Sequence, residues 1–217
     1  MRRSSGLIAP CQPTRVLQPP SGPNWIHEIK HDGYRLMVRR DGEQVRCLTR
    51  GGHDWADRFP AIVEATSRIK AASFLIDGEA VIANEDGTPH FHALRSKSRG
   101  NEAMLFAFDL IEDDGVDLRD LPLIERKQRL AKLLGKSQQR AIRFVEHLMG
   151  DGPTIFEHVC RMGLEGLVSK RAHAPYGKMT RTSAFSRAMW PAIGRRSATA
   201  GTISSLSPHG RKKSVAV

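Results

Sequence analysis

Between residues 23 and 176 the chain alternates short runs of period two with longer stretches of helical period. "WIHEIK" sets Trp25, His27 and Ile29 against Ile26, Glu28 and Lys30, the alternation of a strand. Asp-Gly pairs at 32–33 and 41–42 bracket "YRLMVRR", and "EQVRCLTR" follows, so the pattern predicts a β-meander of three strands. In "DRFPAIVEATSRIK" the positions Phe59, Ile62, Val63 and Ile69 fall on one helical stripe. "SFLIDGEAVIANEDG" reads as a further strand pair, "MLFAFDLIE" as a buried strand, "LIERKQRLAKLL" and "PTIFEHVCRMGL" as amphipathic helices, and "EGLVSKR" as a closing strand. This order suits an α+β fold on antiparallel sheet better than repeated βαβ units.

The hydrophobic fraction of 40% over 217 residues supports one compact domain or a domain plus a tail, and not two. No apolar run approaches the roughly 18 to 20 residues of a membrane span, and "MRRSSGLIAPCQPTR" has no sustained apolar signal core, so a cytoplasmic protein without a membrane partner is expected. Cys11, Cys47 and Cys160 show no C-x-x-C spacing and suggest neither a disulfide framework nor a zinc site. His90 and His92 in "PHFHAL" lack an acidic or cysteine partner at ligand spacing. The net charge of +11 favours a polyanionic partner. Eight of those charges lie between Lys178 and Val217, where there is no Asp or Glu, and this part is low in periodicity. The sequence thus divides into an N-terminal segment (1–22), a central domain (23–176) and a basic tail (177–217) expected to be mostly disordered.

Lys30 stands between Glu28 and Asp32 and just ahead of a glycine turn, a place that presents its amine at the mouth of a sheet. A solvated lysine paired with Glu28 or Asp32 fits the same residues. Three later stretches add to the first reading: "IDGEA" puts Glu79 behind an Asp-Gly pair, "FAFDL" sets an aromatic beside an acid, and "LEGLVSKR" supplies Glu165 and Lys170. Together they offer a nucleophilic lysine, carboxylates for a hydroxyl or a cation, an aromatic plate and extra positive charge. "GKS" at 135–137 is not the end of a phosphate-binding loop, because position 130 is leucine and the segment follows a helix; Gly135 is a helix C-cap.

"EIKHDGYR" resembles motif I (K-x-D-G-x-R) of the covalent nucleotidyltransferases, the superfamily of ATP-dependent DNA ligases, RNA ligases and messenger-RNA capping enzymes. "IDGEA" resembles motif III, "FAFDL" motif IIIa and "EGLVSKR" motif IV, in the family's order, and "LTRGGHDW" matches the loop after the first hairpin. Residues 7 to 176 are especially similar to the ligase domain of bacterial ATP-dependent ligases associated with double-strand-break end joining. The resemblance implies an ATP-grasp-like adenylation domain in which Lys30 attacks the α-phosphate of ATP to form lysyl-AMP. AMP then passes to a 5′-phosphate, and a 3′-hydroxyl displaces it. It implies that Arg35 and Glu79 hold the ribose and its neighbours, Glu79 and Glu165 a Mg²⁺ or Mn²⁺ ion, Phe108 the adenine and Lys170 the triphosphate. Glu28 and Asp32 flank the nucleophile, and Arg50 reaches a phosphate of AMP or DNA. The implied partners are nicked or broken DNA and an end-joining protein, in bacterial cytoplasm at the nucleoid.

Past Tyr176 the sequence departs from the family pattern. Motif V ends in W-x-K-x-K; Trp190 is its remnant here, with Ala192 and Gly194 at the lysine positions, and no OB-fold is expected in the residues that remain. Three functions therefore accord with the sequence: a DNA ligase catalytic domain, a degenerate ligase that binds nucleotide or DNA without turnover, and an RNA-directed nucleotidyltransferase.

Overall fold

The structure is a computed structural model that describes residues 8–84, 90–135, 141–177 and 183–187. In chain order the strands are β1 (Thr14–Arg15), β2 (Trp25–Ile29), β3 (Tyr34–Asp41), β4 (Gln44–Thr49), β5 (Ser73–Val81), β6 (Met104–Asp113), β7 (Val116–Asp117), β8 (Ile142–Phe144), β9 (Gly166–Arg171) and β10 (Ser183–Arg187). The α-helices are α1 (Pro60–Ser67), α2 (Phe91–Arg95), α3 (Leu123–Leu134) and α4 (Gly152–Arg161). Two sheets result. The smaller has the order β1-β10-β9-β2; the larger runs β4-β3-β5-β6-β7, with β8 added parallel to β6. The architecture is α+β on largely antiparallel sheet. Its main core lies between the larger sheet and helices α1 and α3, where Leu36, Val38, Ile76, Leu105 and Leu110 meet Ile62 and Leu130.

The β3–β4 hairpin forms as the sequence predicts, with Gly42 at φ +60° in its turn. The three-strand meander does not form. β2 leaves β3 and pairs instead with β9, placing Glu28 opposite Val168 and Ile26 opposite Lys170. Asp32–Gly33 is therefore a bridge between sheets, and its glycine is required by proximity: a Cβ on Gly33 would lie 2.0 Å from the Ala80 carbonyl oxygen. Gly33→Ala is expected to cost about 1–3 kcal/mol of stability in urea unfolding, because the crossing chain must move off the end of β5.

The Asp-Gly pair at 77–78 also differs from expectation. It lies inside the continuous strand β5, so residues 73 to 81 are one strand and the expected strand pair is absent there. Gly78 is small because β6 presses on it: a Cβ would lie 2.8 Å from both Leu105 Cδ1 and the Phe106 carbonyl oxygen. The β5–β6 register shifts twice just ahead of it, between Leu75 and Ile76 and between Asp77 and Gly78. Helices α3 and α4 form where the periodicity predicts them. Gly135 caps α3 at φ +66°, and the Asp151 carboxylate accepts the Thr154 N–H at the start of α4.

Both segments set apart from the central domain contribute to it. β1 comes from residues 1–22, and β10, drawn from the stretch read as a disordered tail, pairs antiparallel with β9 and parallel with β1. Trp190, Ala192 and Gly194, and most of the tail's positive charge, lie outside the described residues. Cys11, Cys47 and Cys160 are free thiols. No described helix is long and apolar enough to cross a membrane.

Candidate active site

The two sheets open between them a cleft of about 570 Å³. The ends of β2 and β9 form one wall, β3, β5 and β6 the other, and Pro10–Pro13 close one side. Lys30, one residue past β2, lines it. Its backbone N–H donates to the Gly166 carbonyl, which fixes the chain against the start of β9. Its ammonium pairs with Glu165 and lies 3.8 Å from Asp32. Among the described residues the remaining Glu165 oxygen, Oε2, is buried with no hydrogen-bond partner.

Glu28 is not the solvated partner of Lys30. It is buried, and its two oxygens are held by different lysines: Lys127 on Oε1 at 2.6 Å and Lys170 on Oε2 at 2.5 Å. Burial opposes its charge, but Lys170 and Lys127 together hold its pKa below the ordinary value. Lys170 is equally enclosed, with its ammonium 4.2 Å from the centroid of Phe108. Burial, then Lys127, lower its pKa against the pull of Glu28. Lys170, the residue expected at a triphosphate, thus lies between Glu28 and the Phe108 ring.

On the opposite wall Arg35 and Glu79 face each other in the β3–β5 register. The Arg35 guanidinium grips Asp77 with two hydrogen bonds of 2.5 and 2.7 Å, and the Tyr176 hydroxyl donates to the same carboxylate at 2.7 Å. Burial works against the Arg35 charge, yet Asp77 keeps its pKa above the usual value. Arg35 also lies 4.5 Å from the Phe108 centroid, so two cations approach that ring. Burial pushes Glu79 up to about 7, against the opposing pull of Arg35 and Lys30. Arg50 is exposed at the mouth of the cleft, in the turn after β4.

The structure therefore brings Lys30, Glu28, Arg35, Arg50, Glu79, Phe108 and Lys170 to one cleft, with Glu165 joined to it through Lys30. Phe108, not Phe106, faces the cleft; Phe106 stacks on His31 with ring centroids 3.9 Å apart. Among the described residues no group of three or more His, Cys, Asp or Glu gathers as a metal cluster. The unpartnered Oε2 of Glu165 nonetheless leaves one buried acceptor suited to a cation or a hydroxyl.

Sequence reading missed the residues behind the cleft. Arg126 is fully buried and holds Asp109 through two hydrogen bonds of 2.8 and 2.9 Å, while Lys127 reaches Glu28. Both were visible as a pattern: buried positions 123, 126, 127, 130 and 134 of α3 form one stripe at helical spacing, so two cations stand among its leucines. Asp77 and Tyr176 had no comparable signal, since their meeting depends on tertiary packing.

Residues 8–187 match the family model described as the ATP dependent DNA ligase domain. The chain is 40% identical over 172 residues to the multifunctional non-homologous end joining protein LigD of Pseudomonas aeruginosa, covering 78% of this chain and 20% of that protein. It is 36% identical over 161 residues to a probable DNA ligase of Mycolicibacterium gilvum, covering 70% and 31% respectively. Among solved structures, mycobacterial DNA ligase D complexed with ATP and MES superposes with a TM-score of 0.71 at 27% identity, over 83% of this chain and 60% of that one. The ligase domain of M. tuberculosis LigD gives 0.70 at 28%, over 82% and 59%. The chain spans between a fifth and a third of the length of these two curated relatives.

Proposed function

The chain belongs to the ATP-dependent DNA ligase domain family, and from that premise we propose that it carries out the adenylation chemistry of a DNA ligase, with Lys30 as nucleophile. The observation that carries this reading is the pairing of Lys30 with Glu165 at a cleft that also holds Phe108 and Arg35. Attack by Lys30 Nζ forms a nitrogen–phosphorus bond to the α-phosphate of ATP and breaks the α–β anhydride, releasing pyrophosphate. The amine must shed a proton to do so, and Glu165, already hydrogen-bonded to it, is the nearest acceptor. Phe108 supplies a flat face for adenine, and Arg35 and Glu79 lie on the wall beside it.

AMP would then pass to the 5′-phosphate of a DNA break, and the 3′-hydroxyl would close the strand with release of AMP. Arg50, exposed at the mouth, would meet a phosphate of the incoming end. Glu165 and Glu79 are the carboxylates that would hold Mg²⁺ or Mn²⁺, which when bound neutralises phosphate charge. The matched relatives are named as DNA-joining proteins, which favours DNA over RNA ends and an end-joining protein partner. A protein that joins DNA ends would work where the DNA lies, at the nucleoid of bacterial cytoplasm.

The test is incubation with α-³²P-ATP and Mg²⁺ followed by denaturing electrophoresis. Acid-labile label on the protein is expected. Absence of label with either Mg²⁺ or Mn²⁺, in protein shown to be folded, would refute the adenylation reading.

A further inference from the structure

The cleft lining carries four cations (Lys30, Arg35, Arg50 and Lys170) and four carboxylates (Glu28, Asp77, Glu79 and Asp109). Its formal charge is therefore zero, although the ligand proposed for it is a polyphosphate. The missing charge lies one layer deeper, on α3. Lys127 does not line the cleft; it is 1% exposed, and its ammonium donates to Glu28 Oε1 at 2.6 Å and to the Val145 carbonyl at 2.8 Å. The Phe108 carbonyl is 3.5 Å away. Without Lys127, Glu28 and Lys170 would form a closed neutral pair. With it, one carboxylate is shared by two ammonium groups, and the triad holds one positive charge in excess at the floor of the cleft.

We propose that Lys127 is a positioning residue for nucleotide binding: by taking one oxygen of Glu28 from behind, it leaves the charge of Lys170 uncompensated beside Phe108, where a nucleotide phosphate group is attracted to it. The charge is buried, so salt screens it less than a surface lysine's. Lys127 also ties β2, β6 and the chain after β8 together at the point where Phe108 must be held. This inference rests on the nucleotide reading of the cleft, but not on turnover.

The test uses the full chain and two probes: α,β-methylene-ATP, whose α–β bridge cannot be cleaved, and uncharged adenosine. Lys127→Met keeps Glu28 paired with Lys170, so it leaves no unpaired buried charge. It is expected to weaken α,β-methylene-ATP binding about tenfold while adenosine binding stays within about twofold, the scale of one elementary charge at an effective dielectric of about 20. Lys127→Arg, which keeps the positive charge behind Glu28, is expected to hold the affinity within about threefold of the parent. Equal weakening of both probes would mean that Lys127 only shapes the floor, and unchanged α,β-methylene-ATP binding would mean that its charge is not felt; either overturns the proposal. Should thermal melting show Lys127→Met unfolded, Lys127→Gln, which keeps a hydrogen bond to Glu28 without the charge, decides: an about tenfold loss for α,β-methylene-ATP with adenosine within about twofold supports the proposal, and equal weakening or no change overturns it. Because the analogue cannot adenylate Lys30, failure to form lysyl-AMP from ATP would refute the catalytic reading while leaving this comparison intact.

Discussion

Replacing Lys30 with arginine is expected to leave the protein folded and without covalent AMP. Arginine keeps a positive charge for Glu165 and Asp32, the two carboxylates that Lys30 meets at the cleft, so the local electrostatics survive. What it lacks is a lone pair: the guanidinium stays protonated at any working pH and cannot attack phosphorus. Loss of an enzyme's nucleophile can cost on the order of 10⁶ in rate, which places residual labelling from α-³²P-ATP below detection. Glu165→Gln should behave differently. It retains a hydrogen bond to Lys30 but cannot take its proton, and loss of a positioned acid–base group typically slows a reaction by about 10² to 10⁴. The order expected is therefore parent, then Glu165→Gln, then Lys30→Arg with none. Labelling of Lys30→Arg at the parental rate would move the nucleophile to another residue.

Three Asp-Gly pairs show how much of the fold was legible and where local reading stops. At 41–42 the pair is a hairpin turn, with Gly42 at φ +60°. At 32–33 it carries the chain between sheets under the Ala80 carbonyl, and at 77–78 it lies mid-strand under Leu105 and Phe106. A dipeptide signals that a side chain is unwelcome; which neighbour excludes it is a tertiary fact. The individual strands and helices that bear the motifs were readable because each has its own period. The pairing of β2 was not, because Ile26, His27 and Glu28 are all buried and an alternation with one wet face does not describe a strand covered on both sides. Likewise the motif residues were visible as Lys30, Glu79, Phe108, Glu165 and Lys170, whereas two buried ion pairs behind them, Lys127–Glu28 and Arg126–Asp109, come from α3. Amphipathic reading assigns Arg and Lys to the wet side of a helix and therefore overlooks two that point inward.

Arg126→Met is expected to destabilise the fold more than Gly33→Ala or any of the cleft substitutions. The Arg126–Asp109 pair is closed on all sides: the side chains are 0% and 3% exposed, and the guanidinium also donates to the Leu121 carbonyl at 2.5 Å and the Ala174 carbonyl at 3.1 Å. Methionine fills much of the same volume but, among the described residues, leaves Asp109 with only its hydrogen bond from the Leu110 N–H, at 2.9 Å. Removing one partner of a buried pair costs about 3–5 kcal/mol, a large share of the roughly 5–15 kcal/mol typical of a domain. The pH dependence identifies the cause. Burial already raises the Asp109 pKa despite Arg126, and without the arginine it rises further. A carboxyl with a folded pKa above its unfolded value binds more protons in the native state between the two, so stability falls as pH rises through that window and is recovered on acidification. The gap between Arg126→Met and the parent should accordingly be wider at pH 8 than at pH 5 in urea unfolding. Asp109→Asn in the same chain, which removes the unpaired charge, should recover a large part of the loss. A gap below about 1 kcal/mol that ignores pH would mean that Asp109 reaches solvent and that the pair is not a buried link between α3 and the Phe108 strand.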